Sequence, residues 1–208
     1  GNSITPGEVV AEIMSNGKIT SKTPLTFYNF SDPFLPQNTK DLVSILEELD
    51  NRDFTNVVGL ITRTYTDRDT LDRIANLRNL KPIVMVTYAG YENKQLESAP
   101  NKMRIKLMKE LKMRGVPVIQ YLRPLVREWI EEGQIKRARD EASPYIEGVI
   151  MSGLRLTPEI IRKISRLGLV VPYVPGYTNK YFPKEIQEEV IEAYKGIVPV
   201  YRYTSCGV

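Results

Sequence analysis

The chain has no histidine and one cysteine, Cys206, among its 208 residues. Without imidazole it cannot build a Ser-His-Asp triad, a histidine acid-base pair or the usual zinc sites. One thiol excludes a disulfide framework. No apolar run is long enough to span a membrane and no segment reads as a signal peptide, so the cytoplasm is the default location and no membrane partner is expected. Neither sign of charge dominates: 29 Lys and Arg against 25 Asp and Glu leave a net charge of +4. That excess does not establish nucleic-acid binding, but it suits anionic ligands. Low-complexity linkers are also missing. The length and a 42% hydrophobic content fit one domain over residues 1–208 with a real core.

What is present is an alternation of short apolar runs with helical patterns. Thr5-Pro6-Gly7-Glu8 carries a capping box with Pro at the first helical position, and Val9, Val10 and Ile13 give that helix an apolar stripe. A strand is predicted over Leu25–Phe30, then a helix from about Lys40 to Asp50 with Leu42, Val43, Ile45, Leu46 and Leu49 facing inward. Strand patterns recur at Val57–Ile61, Ile83–Val86, Val116–Leu122 and Val149–Ser152, with a short one at Val170–Tyr173. Between them run helical patterns at Asp69–Leu77, around Met103–Leu111 up to Gly115, at Glu128–Ala142, and from Thr157-Pro158-Glu159 to Gly168. A last helix over Pro183–Tyr194 and a β-like tail over Ile197–Tyr203 close the chain. Strict alternation predicts an α/β fold with a parallel sheet and outer helices, either an open sheet or a barrel.

Polar residues collect where the strands end: Asn29, Ser31 and Asp32; Thr62, Arg63 and Thr64; Thr87 and Tyr88; Gln120, Tyr121 and Arg123; Ser152, Gly153 and Arg155. In parallel α/β architectures that edge holds the site, although loops are polar in any case. The Ser31-Asp32-Pro33 corner is the sharpest of these signals. The helix over Lys102–Arg114 carries six basic residues and only Glu110 as an acid. Interleaved with Met103, Leu107 and Leu111, it reads as the solvated face of an outer helix rather than a nucleic-acid footprint. Tyr28, Tyr65, Tyr88, Tyr121, Tyr173 and Tyr177 lie near strand ends, where they could relay hydrogen atoms or stack on a base; rim packing is the commoner use.

In order and spacing these segments resemble the radical S-adenosylmethionine (SAM) superfamily, in its spore photoproduct lyase-like branch. Ser31-Asp32-Pro33-Phe34-Leu35-Pro36 is similar to that branch's TDP-x-QP segment. Thr62-Arg63-Thr64 with Arg68-Asp69 resembles its TK-S…RD stretch, and the strand ending in Thr87 resembles its S-x-T strand. Leu96-Glu97 through Gly115-Val116-Pro117-Val118 resembles its LE…P…R…L…G-x-P-V run, and Arg123-Pro124 matches a strand followed by Pro. The likeness spans about Thr26 to Leu125, more loosely Ser152.

The resemblance implies a partial TIM-type (β/α)6 barrel whose first strand is absent from this chain, and two cofactors, SAM and a 4Fe-4S cluster. In the family three Cys thiolates of a C-x3-C-x2-C loop hold that cluster, and cleavage of SAM gives a 5′-deoxyadenosyl radical. The chain has no such loop, so its cluster ligands would lie elsewhere and the chain alone is expected to be inactive. A truncated piece, a split subunit and a degenerate barrel all fit this. By resemblance Ser31 and Asp32 receive the SAM ammonium group, Arg63 its carboxylate, Thr87 the ribose or methionyl group, and Ser152 and Gly153 the adenine or substrate edge, with Asn29 counted among the cofactor-binding residues. Cys206 could donate a hydrogen atom to a substrate radical, although an inert thiol is the preferred reading. The alternative function is a non-catalytic barrel binding a nucleotide, a nucleic acid or a protein. An open barrel edge would favour a dimer or swapped assembly.

Overall fold

The structure, a computed structural model, describes residues 4–96, 99–170, 180–204 and 207. The chain forms two compact units, one of residues up to Val86 with Lys106–Val118, the other of Thr87–Ile105 with Ile119–Gly207.

The first unit opens with helix α1 (Pro6–Ser15), and the predicted capping box is there: Thr5 Oγ1 accepts from Glu8 N while Glu8 accepts from Thr5 N. Strand β1 is only Leu25–Thr26, far shorter than the expected Leu25–Phe30. The run is cut because Tyr28 takes a positive φ of 57° and Ser31 N donates back to Tyr28 O, turning the chain into a loop. Phe30, the last residue of the predicted strand, is left fully exposed. Helix α2 (Pro36–Asn51) starts earlier than expected, since Pro36 occupies its first position with φ set for a helix. Its predicted stripe is buried, with Leu42 and Leu49 fully covered; each such leucine contributes about 1.5–3 kcal/mol. Strand β2 (Val57–Thr62) pairs in parallel with β1, through Leu25↔Val58, and with β3 (Lys81–Thr87), from Val57↔Lys81 to Thr62↔Val86. Helix α3 (Arg68–Ala75) connects these two strands, capped by Asp67, which accepts from Thr70 N.

Helix α4 (Asn101–Met113) corrects the reading of a wholly solvated basic face. Lys102, Lys106, Lys109 and Lys112 are exposed, but Arg104 is 1% exposed and Glu110 8%. In the first unit Glu110 gathers Tyr65 Oη at 2.9 Å, Arg114 at 3.2 Å and Lys106 at 3.8 Å. Burial pushes its carboxyl pKa up, but the Tyr65 hydrogen bond and the charges of Arg68, Lys106 and Arg114 outweigh that and hold it below the ordinary value.

In the second unit β4 (Val118–Leu125) lies parallel to β5 (Gly148–Arg155) from Ile119↔Gly148 to Leu122↔Met151, with a register shift before Leu125↔Gly153 and a cis Arg123-Pro124 bond. The helix expected over Glu128–Ala142 is divided into a 3-10 turn at Arg127–Trp129 and α5 (Gln134–Ala142). Gly133 between them has φ 71°, which a continuous helix does not allow. Helix α6 (Pro158–Arg166) is capped by Thr157 as its sequence predicts. The strand expected at Val170–Tyr173 falls almost wholly outside the described residues. A pairing not foreseen is β6 (Lys180–Tyr181), antiparallel to β5. Helix α7 (Lys184–Tyr194) follows, and β7 (Val200–Tyr201) pairs in parallel with β5.

Candidate functional site

The corner after β1 is organised by one carboxylate. Asp32 Oδ1 accepts from Phe34 N at 2.9 Å and Thr62 Oγ1 at 2.7 Å; Oδ2 accepts from Arg63 N at 2.8 Å and Thr64 Oγ1 at 3.0 Å. A carboxylate has about four lone-pair positions, and all four are taken. Asp32 therefore ties the loop after β1 to the loop after β2, across 30 residues of chain. Thr62 also accepts from Thr64 N, so the β2 exit is a tight hydroxyl-bonded turn.

Around this strap lie the other first-unit candidates. Ser31 is exposed and its Oγ accepts from Asn38 Nδ2, which also donates to Asp32 O. Asn29 is exposed and donates to Thr26 Oγ1. Arg63 is held by its backbone N–H while its side chain stands in solvent. So the structure brings Ser31, Asp32 and Arg63 to one corner, leaving a hydroxyl and a guanidinium outward and the carboxylate engaged. Sequence reasoning missed Asn38 as the residue that fixes Ser31. Its one signal was its position in the first turn of α2.

The second unit holds the rest. Thr87 is 6% exposed at the end of β3. Ser152, Gly153, Arg123, Arg155 and Lys180 line one cavity of about 310 Å3. The close approach expected at Gly153 is made by the chain itself, since a Cβ there would sit 1.9 Å from Tyr181 O. Gln120, read as a strand-end polar group, is fully buried and satisfied: its amide donates to Tyr88 O at 3.0 Å and accepts from Tyr194 Oη at 2.8 Å. Tyr88 donates to Glu141, and burial first, then that carboxylate, drives its phenol pKa far up. Neither Tyr88 nor Gln120 is free to act on a ligand. Tyr173, Tyr177 and Cys206 lie outside the described residues.

The chain's own residues do not fit a 4Fe-4S cluster. Three thiolates are needed, and the sequence contains Cys206 alone. Among the described residues no group of three or more Cys, His, Asp or Glu could hold a metal ion. The amino-acid end of SAM is a better match in kind, with a guanidinium for its carboxylate and a hydroxyl beside it. Among the described residues no helix is long and apolar enough to cross a membrane.

Solved structures give the fold its context. A spore photoproduct lyase mutant with bound AdoMet and dinucleoside spore photoproduct superposes with a TM-score of 0.65 at 14% identity, over 95% of this chain and 66% of that one. Streptococcus suis SuiB bound to S-adenosylmethionine gives 0.59 at 13% identity, over 98% of this chain and 44% of SuiB. A domain of pyruvate-formate lyase-activating enzyme from Bacteroides vulgatus gives 0.57 at 15% identity, over 85% of this chain and 97% of the domain. The fold is that of the radical SAM enzymes. It is the α/β partial barrel, with parallel strands and outer helices, that the sequence resemblance implies. The chain spans less than half the length of SuiB and about two thirds of spore photoproduct lyase. No family model matches it, and no curated protein matches it in sequence.

Proposed function

We propose that this chain is the core domain of a radical SAM enzyme, one partial-barrel domain over residues 1–208 that binds S-adenosylmethionine. The observation that carries the reading is the shared fold, since the SuiB and spore photoproduct lyase structures that cover 98% and 95% of this chain hold that molecule. In the first unit the outward Ser31 hydroxyl, with Asn29 beside it, would meet the ammonium group, and the Arg63 guanidinium would take the carboxylate. Asp32 acts as a positioning residue. Its four accepted hydrogen bonds hold Ser31 and Arg63 at one corner, and its charge favours a nearby cation.

Equilibrium dialysis of the 208-residue chain against labelled SAM tests the reading. The expected result is saturable binding, displaced by S-adenosylhomocysteine but not by ATP, and about tenfold weaker in Arg63→Ala. Absence of saturable binding at millimolar SAM, or unchanged affinity in Arg63→Ala, refutes it.

The cysteine count favours a second reading, in which the barrel binds a nucleotide, nucleic acid or protein without radical chemistry. Anaerobic reconstitution with iron and sulfide, together with any cysteine-bearing partner protein, separates the two. A stable brown cluster species that cleaves SAM once dithionite supplies the electron supports the enzyme; a colourless chain that still binds its ligand supports the second reading.

A further inference from the structure

The turn that ends the first apolar run is built from residues that turns ordinarily avoid. Ser31 N donates to Tyr28 O at 2.9 Å, closing a turn over Tyr28–Ser31. Such turns favour Gly, Asn, Asp and Ser. Here Tyr28 takes a φ of 57°, an unfavourable angle for a bulky side chain. Phe30, inside the turn, is 107% exposed, against 73% for Met113, the next most exposed large apolar side chain among the described residues. Folding leaves the whole ring in water, with none of the gain that burial brings. Yet both flanks of the ring are pinned. Asn29 Nδ2 donates to Thr26 Oγ1 at 3.0 Å and Asn38 Nδ2 to Ser31 Oγ at 2.9 Å, and the four hydrogen bonds of Asp32 hold the chain just beyond. An apolar ring is thus presented to solvent from a fixed and strained base, and strain of this kind gathers at ligand clamps and active sites.

We propose that Phe30 is the residue that recognises the sulfonium of SAM, through a cation–π contact with its ring face, and that it sets the preference of the site for SAM over S-adenosylhomocysteine. This deepens the SAM-binding reading and rests on it, in that Ser31 and Arg63 are taken to hold the amino-acid end of the molecule. A sulfonium is a trialkyl cation with no N–H or O–H to donate, so no hydroxyl, carbonyl or carboxylate can read it by hydrogen bonding. The Asp32 carboxylate is in any case saturated. An aromatic face recognises such a cation, as it does a quaternary ammonium. Reach agrees with this role. Consecutive Cα atoms lie about 3.8 Å apart, so Phe30 directly adjoins the residue assigned to the ammonium group. Only the methylenes of the methionyl chain separate the SAM α-carbon from its sulfur, whereas the adenine lies further off, beyond the ribose. S-adenosylhomocysteine keeps the amino-acid and adenosine ends but carries a neutral thioether, so the contact with the ring is what tells the two apart.

The experiment is equilibrium dialysis of the full chain and of Phe30→Leu and Phe30→Trp against SAM and against S-adenosylhomocysteine, with thermal melting of each ligand-free protein. The parent should bind SAM the more tightly. Phe30→Leu keeps an apolar side chain without a π face, and should cut the ratio of the two affinities about two- to fivefold, mainly through weaker SAM binding. Phe30→Trp, with the best ring for a cation, should keep or raise the ratio. Because the ring packs on nothing, both variants should melt within about 1 °C of the parent. An unchanged ratio in Phe30→Leu overturns the proposal and leaves SAM binding itself standing, as does a Phe30→Trp ratio that falls as far as that of Phe30→Leu. Melting several degrees lower in Phe30→Leu also overturns it, since the ring would then serve the fold. If the parent binds no SAM, the SAM-binding reading fails first and this assignment falls with it.

Discussion

Replacing Asp32 by alanine tests the strap directly. The substitution removes four accepted hydrogen bonds, but their donors are not equally stranded. The Thr62 hydroxyl can turn to Thr64 O, already 3.2 Å away, and Thr64 is only half-buried, so water can serve it. The Arg63 N–H lies on an exposed residue. The Phe34 N–H belongs to a residue that is 1% exposed and has no ready replacement. With net values of about 1.5–3 kcal/mol for a hydrogen bond to a charged group, one such bond lost in full and the other three donors largely compensated, the loss comes to about 2–4 kcal/mol. For a chain of this size that lowers the melting point by roughly 5–15 °C. Asp32→Asn should lose about half as much: its amide oxygen keeps one pair of bonds, while its NH2 faces the Arg63 N–H. Melting by circular dichroism gives the stability, and amide exchange at Arg63 gives the local effect. The reasoning fails if Asp32→Ala melts within about 1 °C of the parent and leaves the Arg63 amide equally protected. A large loss of SAM affinity with no change in ligand-free stability would likewise reassign Asp32 from strap to ligand contact.

Gly153→Ala should destabilise the β5–β6 pairing by about 1–3 kcal/mol, because the new Cβ meets Tyr181 O at 1.9 Å; Gly7→Ala in α1, with nothing within 4 Å, should be neutral or slightly stabilising in the same melts. Asp50, 7% exposed, accepts from the backbone N–H groups of Arg78, Asn79 and Leu80. Burial alone would raise its pKa, but these three bonds outweigh burial and lower it. A depressed folded-state value means that its stabilisation is complete above the unfolded value of about 4 and is lost as pH falls through the folded one. Asp50→Asn should therefore be less stable than the parent at pH 7, and the two stability curves should converge below about pH 3; parallel curves down to that pH would contradict the assignment.

Much of the fold was legible because its determinants are local. The Thr5–Glu8 capping box, the Thr157 cap, the α2 stripe and the β-branched runs at β2 and β3 act within one helical turn or one strand, and the structure reproduces them. The errors occurred where one backbone angle or a distant partner overrode the pattern. Tyr28 ended an apolar run that read as strand, and Gly133 split a pattern that read as one helix. For the candidate site, linear order was enough to mark the Ser31-Asp32-Pro33 corner and the residues after β2 as one region.

By itself the sequence determined the chemistry that is absent, the alternation of strands and helices, and a resemblance to radical SAM enzymes that the shared fold bears out. Only the tertiary structure decided how the polar groups are used. Asp32 is engaged by hydroxyls and an amide some 30 residues away, and Gly153 makes room for its own neighbouring strand. Lys180 stands opposite Arg155 through an antiparallel pairing. Spacing along a chain encodes periodicity and caps. Which carboxylate is saturated and which cations are forced together depends on strand pairing, and no local pattern specifies that.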